Sequence, residues 1–209
     1  MDLSTLRTRA KTRFQDPDGH IYSDDEWDAY LNDAYMDVID AHAAWPFLET
    51  RQTLVVVAAG TGSVALEDDA WRVTSVYNDT DHYPLEPIYG QVDYRHFYPD
   101  PDNGSGSPIN YRLQANNIEV YPRPAADTTL IVDTYVPPAE LVADADVPVI
   151  PPKYHRSLVY GALAYAYEDD GNPTQAGALR AAGDRLIGGL INEMDSSRSE
   201  GYPTIQDVW

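Results

Sequence analysis

The spacing of the apolar residues changes twice along this chain, from helical to strand-like and back, and that order limits the fold more than any other feature. Residues 3–14 read as a short basic helix carrying Arg7, Arg9, Lys11 and Arg13, stopped by the turn signal Asp16-Pro17-Asp18-Gly19. Ser23-Asp24-Asp25-Glu26 is a capping box, in which Ser23 accepts from the backbone N–H three residues on and Glu26 reaches back. The helix that follows sets Trp27, Tyr30, Leu31, Ala34, Tyr35, Val38 and Ile39 at steps of three and four. They form one apolar face, with Asp28, Asn32, Asp33, Asp37 and Asp40 largely off it. Pro46 is expected to end this helix.

From about residue 50 to 136 the pattern becomes short β runs, at 53–57, 63–66, 73–77, 111–113, 118–121 and 130–135. Clusters of Gly, Pro, Asn and Asp separate them, and Ala59-Gly60-Thr61-Gly62 and Asn116-Asn117 read as hairpin turns. Residues 100–108 form a polar loop, and 137–152 a Pro-rich extended connector. Two helices follow, over 153–168 and 174–194. The first carries Leu158, Gly161, Ala162, Tyr165 and Ala166 on one face. The second carries Leu179, Ala182, Leu186, Leu190 and Met194. Small residues at 161, 162, 164 and 166 suit close helix packing.

Segregated helices and strands predict an α+β fold: a helical bundle formed by N- and C-terminal helices with an inserted antiparallel β-domain. The expected division is 1–49 and 150–195 for the bundle, 50–149 for the β-domain with its connector, and 196–209 for a C-terminal arm. With 43% apolar residues among 209, the chain has material for a real core. No stretch approaches the roughly 18 uninterrupted apolar residues of a membrane span, so no membrane contact is expected. Met1-Asp2-Leu3-Ser4 lacks a secretory pattern, and there is no cysteine, which excludes disulfides and thiolate chemistry. The expected compartment is intracellular, at least where the protein is made.

The net charge of -20 argues against gripping DNA through its phosphates. It is built from 25 Asp and 9 Glu against 12 Arg and 2 Lys. A GC-rich genome favours Arg over Lys but not Asp over Glu. Both biases fit concentrated salt, where the Debye length falls to roughly 3 Å at about 1 M. An ordinary acidic protein of a GC-rich host is the other reading of the same numbers.

No catalytic, cofactor or metal-binding constellation emerges. The loop 14–25 resembles a calcium loop in its Gly19, yet Phe14 stands where a carboxylate is required and Asp25 where a bidentate Glu belongs. A capped interhelix turn explains the same residues. His20, His42, His82, His96 and His155 show no metal spacing. His42, near the end of the second helix, suits a structural place at a helix C-terminus. Gly104-Ser105-Gly106-Ser107 fits neither a nucleophile elbow nor a phosphate loop. Pairs such as Asp24-Asp25, Asp68-Asp69 and Asp169-Asp170 are expected on solvated faces in a chain with 34 acids. Sixteen tyrosines and four tryptophans suit protein–protein contacts or a sugar-binding surface, and some must be core.

Several segments, taken in order, carry a resemblance to a known family. These are Ser23-Asp24-Asp25-Glu26-Trp27, Asn32-Asp33-Ala34-Tyr35 and Trp45-Pro46-Phe47-Leu48, followed by Ile118-Glu119-Val120-Tyr121-Pro122-Arg123-Pro124. Ile150-Pro151-Pro152-Lys153-Tyr154-His155 then runs into Leu158-Val159-Tyr160-Gly161-Ala162-Leu163-Ala164. Together, over roughly residues 3–195, these segments resemble the head–tail adaptor (connector) proteins of tailed bacteriophages and related archaeal viruses. The resemblance implies a subunit of a homo-oligomeric ring, usually of twelve copies, that docks on the portal protein, extends the DNA channel and offers the tail or neck proteins a surface. It further implies that DNA passes without sequence-specific binding, and that the protein resides at the head–tail junction of the virion after assembly in the host cytoplasm. No catalytic residue or cofactor is implied.

Beyond the resemblance, residues 196–201 read as a polar spacer and Tyr202, Ile205, Val208 and Trp209 as the anchors of a partner-docking arm. A tail-associated binding module, carbohydrate or baseplate-type, built on the β-domain is the alternative. A hydrolase assembled from scattered Asp residues is a third.

Overall fold

A computed structural model describes residues 1–42, 45–66, 72–90, 96, 104–115 and 117–200. It has the expected α+β character, with helices from both ends of the chain flanking a β region. The helices belong to a unit of Met1–Phe47 and the chain from Pro138 on, and the strands to a second unit, Leu48–Pro137.

In the helical unit, α1 (Leu3–Phe14) begins where the Asp2 carboxylate accepts from the Thr5 N–H at 2.8 Å. It buries Leu3, Leu6, Ala10 and Phe14, spaced by three and four. The capping box of Ser23 and Glu26 is present in both directions and starts α2 (Asp24–Asp40). This helix buries Trp27, Leu31, Ala34, Tyr35, Val38 and Ile39, close to the stripe expected of it. It does not run on to Pro46. The Ala41 N–H closes the last turn on Asp37, and the buried Trp45 indole donates to the Ile39 carbonyl at 2.8 Å. That bond satisfies one of the carbonyls a helix end leaves open. After a 3-10 turn over Pro152–Tyr154 come α3 (His155–Asp169) and α4 (Pro173–Glu200). Helix α3 packs on α1, α2 and α4.

Two corrections concern this unit. Residues 138–149, read as a connector of the β-domain, are part of the helical unit. The Leu3 and Ser4 N–H groups, open at the start of α1, donate to the Asp146 and Asp144 carbonyls at 2.9 and 3.1 Å. The Asn32 amide holds both backbone groups of Leu141, at 2.8 and 3.0 Å. The second correction is that residues 196–200 continue α4 instead of forming a flexible spacer. No breaker intervenes before Gly201, and the Ser196 hydroxyl donates to the Asn192 carbonyl at 2.6 Å.

Close packing of α2 against α3 rests on Gly161, where a Cβ would lie 2.6 Å from that of Ala34. Overpacking of this kind costs about 1–3 kcal/mol, while Gly to Ala returns about 1 kcal/mol of helix propensity. Gly161→Ala is therefore expected to show a net loss of up to about 2 kcal/mol in urea unfolding. Ala34→Gly added to the same chain should recover most of it.

His155 is fully buried at the start of α3. Its Nε2–H donates to the Ile150 carbonyl at 2.7 Å, and its Nδ1 lies 2.8 Å from the Met1 amino group. Burial, above all, lowers its pKa from 6.5. The unfolded chain therefore takes the proton first. The stability due to this neutral ring is complete above about pH 6.5 and is lost as pH falls towards the lower folded value. Between about pH 7.5 and 5.5 the unfolding midpoint should drop. His155→Gln should be less stable at the upper pH and show a shallower drop.

Among the described residues the β unit contains two four-stranded sheets. One has the order β1 (Glu49–Val57), β8 (Thr128–Tyr135), β3 (Arg72–Asn78), β4 (Tyr83–Pro84). The other has the order β2 (Ser63–Ala65), β7 (Asn117–Tyr121), β6 (Asn110–Gln114), β5 (Glu86–Pro87). Pairing is antiparallel except for β5 with β6, which is parallel. Of the hairpin turn expected at Asn116-Asn117, Asn116 lies outside the described residues and Asn117 is the first residue of β7, which pairs antiparallel with β6 so that Gln114 faces Asn117. Ala59-Gly60-Thr61-Gly62 is not a hairpin: it carries the chain from β1 in one sheet to β2 in the other. Central β8 alternates along its length, and Leu130 and Val132 join Val57, Val76, Tyr111, Ile118 and Val120 in one core shared by the two sheets.

Candidate functional site

The arm residues Tyr202, Ile205, Val208 and Trp209 lie outside the described residues, as do Asp68, Asp69, Tyr94, Phe97 and Tyr98. The helix that leads towards the arm is described to Glu200.

Each near miss of the sequence has a structural occupation. The buried Asp16 carboxylate accepts from the His20, Ile21 and Tyr22 N–H groups at 2.8, 2.9 and 3.2 Å. Burial opposes its charge, yet these bonds hold its pKa below the ordinary value. The loop is thus a tight turn anchored on Asp16. Asp24 pairs with Lys11 and Arg7, and the Lys11 bond, above all, lowers its pKa. The Tyr30 hydroxyl donates to Asp169, and burial followed by that carboxylate pushes the phenol up. His42, beyond the end of α2, stands 3.5 Å from Asp195 and packs on Trp45. Among the described residues no group of His, Asp and Glu is placed to hold a metal ion.

Many aromatics are core of the helical unit. Phe14, Tyr22, Trp27 and Tyr30 meet edge to face, with ring centroids 5.4 to 6.0 Å apart, and Tyr167 lies 4.8 Å from Phe14. Of the loop tyrosines, Tyr83 donates to the Pro108 carbonyl at 2.7 Å, while Tyr89 is largely exposed.

The charged face of α1 divides in two. Residues two apart on a helix point about 200° apart, so Arg7 and Lys11 take one side and Arg9 and Arg13 the other. Arg7 turns inward, its Nε and Nη2 gripping the two Asp28 oxygens at 2.7 Å each, and Nη2 also reaches Asp144 at 2.9 Å. The bond to Asp28, chiefly, raises its pKa further. Exposed Arg9 and Arg13 meet Arg156 of α3 around Tyr160 and Val159, in a shallow cleft. The Arg13 and Arg156 guanidinium carbons lie 5.2 and 5.7 Å from the Tyr160 ring centre, and Arg156 donates to its hydroxyl at 2.8 Å. Arg13 first, then Arg156, hold that hydroxyl below its usual pKa against partial burial. Among the described residues, no carboxylate pairs with these three arginines. The sequence spacing separates Arg9 and Arg13 from Arg7 and Lys11, but nothing local announces Arg156.

What the described residues bring together at this cleft is charge and aromatic contact. Residues 1–206 match the model of the SU10 adaptor protein family, and the chain belongs to that family. It is a phage adaptor, a structural component of the virus particle. No curated protein matches the chain. No described helix is long and apolar enough to cross a membrane.

Proposed function

We propose that this chain is the head–tail adaptor that docks on the portal ring, extends the DNA channel and presents the surface to which tail or neck proteins attach. The observation that carries this reading is the family match, which runs through both units and not through one module. Twelve copies form a ring at the head–tail junction, assembled in the host cytoplasm. DNA passes without sequence-specific binding, because -20 per subunit repels phosphate. The arm, with Tyr202, Ile205, Val208 and Trp209 as anchors, continues from the end of α4 and docks on the portal. Large aromatics suit this task, since they bury much area with few rotatable bonds.

The test is a virus lacking this gene, complemented in trans. Without the chain, filled heads and free tails should accumulate unjoined, and the full chain should restore tailed particles. A chain lacking residues 202–209 should fold normally by circular dichroism yet fail to join heads to tails. Normal tailed particles in the absence of the chain would sink the adaptor reading, and full complementation by the truncated chain would sink the role of the arm alone.

A further inference from the structure

The helical unit carries two clusters of opposite charge, neither of which finds counter-ions among the described residues. One is the cleft of Arg9, Arg13 and Arg156 round Tyr160. The other gathers exposed Glu26, Asp169 and Asp170 round Tyr22 and Tyr30: the Tyr30 hydroxyl donates to Asp169, the Tyr22 hydroxyl donates to the Ala166 carbonyl at 3.0 Å, and Glu26 precedes Tyr30 by one turn of α2. No cation pairs with these three carboxylates among the described residues. Along α3, Arg156 and Tyr160 stand thirteen and nine residues before Asp169, which at 1.5 Å per residue is about 20 and 14 Å. The clusters are therefore separate patches that cannot neutralise each other at contact distance.

In a chain of -20 an acidic cluster is expected, whereas three arginines left together without a carboxylate are not. Like charges held side by side repel, and the arrangement persists only where something of opposite sign covers it or where nothing penalises it. DNA is a poor occupant, because phosphate meets the repulsion of the whole chain and three arginines release few counterions. Carboxylates on a protein suit the cleft better, since the guanidinium fork takes them bidentately.

We infer that the arginine cleft of one copy receives the Glu26, Asp169 and Asp170 cluster of a second copy, in a head-to-tail contact. Such a contact uses two different patches and repeats from copy to copy, and it closes into a ring when the rotation permits. The inference rests on the adaptor reading only in that several copies assemble. It adds which surfaces meet and which charges fix their register.

The experiment measures self-association of the full chain by sedimentation, at about physiological salt. Four proteins are compared: wild type, Arg13→Glu/Arg156→Glu, Asp169→Lys/Asp170→Lys, and the chain carrying all four changes. Circular dichroism and unfolding midpoints confirm that each is folded. Both double variants should associate at least tenfold more weakly than wild type. Their equimolar mixture, and the four-fold variant, should recover association, because opposite charges again face each other. Rescue is the decisive readout, since a merely destabilised fold would not regain association on mixing. Should the acidic cluster variant fail to fold, the same mixing with Asp170→Lys alone gives the answer. Unchanged association of the arginine variant, or no rescue, overturns the inference and leaves the cleft to another protein of the particle. A wild type that stays monomeric at every concentration also overturns it. The adaptor reading is decided separately, by whether heads and tails join in the virus lacking the gene.

Discussion

Trp27→Ala is expected to remove about 3–5 kcal/mol from the stability of the helical unit, the range for truncating a fully buried large aromatic. The side chain has no solvent exposure and sits where Phe14, Tyr22 and Tyr30 converge, at centroid distances of 5.6, 5.8 and 6.0 Å. It thereby joins α1, the interhelix turn and α2 at one point. Its indole N–H is buried without a hydrogen-bond partner among the described residues, so the residue is held by packing and not by a polar contact. Trp27→Phe should consequently cost much less than Trp27→Ala, because it retains most of the ring and removes an uncompensated donor. Urea unfolding followed by far-UV circular dichroism checks both. A loss under about 1 kcal/mol for Trp27→Ala would contradict a packing role.

Arg7→Ala is the second large effect, expected near 2–3 kcal/mol from the charged hydrogen bonds it breaks. Most of that comes from Asp28, whose side chain is 20% exposed against 57% for Asp24 and 72% for Asp144. Exposed pairs contribute little, being screened and costly in side-chain freedom. With Arg7 gone, Asp28 is left half-buried beside Asp24, the start of α2 loses its tie to Asp144, and Lys11 with Asp24 remains as its ion pair to α1. Arg7→Lys keeps the charge but not the two parallel bonds, so it should recover only part of the loss. Equal stabilities for the Lys and Ala variants would mean that charge contributes nothing here, and equal Lys and wild type that geometry does not.

The parts of this fold legible in the sequence are those decided within one or two turns of chain. Ser23 and Glu26 are three residues apart, so the capping box and the helix it starts are local facts. Val73, Ile118, Val120, Leu130 and Val132 sit in β-branched or alternating runs, and the strands fall on them. Partners across long separations are not legible. Strand β1 pairs with β8, Glu49 facing Tyr135, and no residue near either announces the other. Strands β4 and β5 are two residues long and each contains a proline, which demotes a strand signal. Residues 138–149 look like a linker because they are rich in Pro and Asp, yet Leu141 is buried and Asn32, more than a hundred residues earlier, binds its backbone. The candidate site divides the same way: α1 shows Arg9 and Arg13 on one side by spacing alone, and only the fold adds Arg156 and Tyr160.

The helical unit draws on both sides of the β unit in the sequence, and this sets an order on synthesis. Ribosomes add about 5–20 residues per second, so the 90 residues of Leu48–Pro137 occupy roughly 5 to 20 s after α1 and α2 emerge. Throughout that interval the apolar stripes of α1 and α2 have no α3 to cover them, whereas the β unit has all of its strands by the interval's end. The arginine cleft is likewise incomplete until Arg156 is made. A chain that has not yet reached Arg156 therefore lacks the surface proposed to bring copies together.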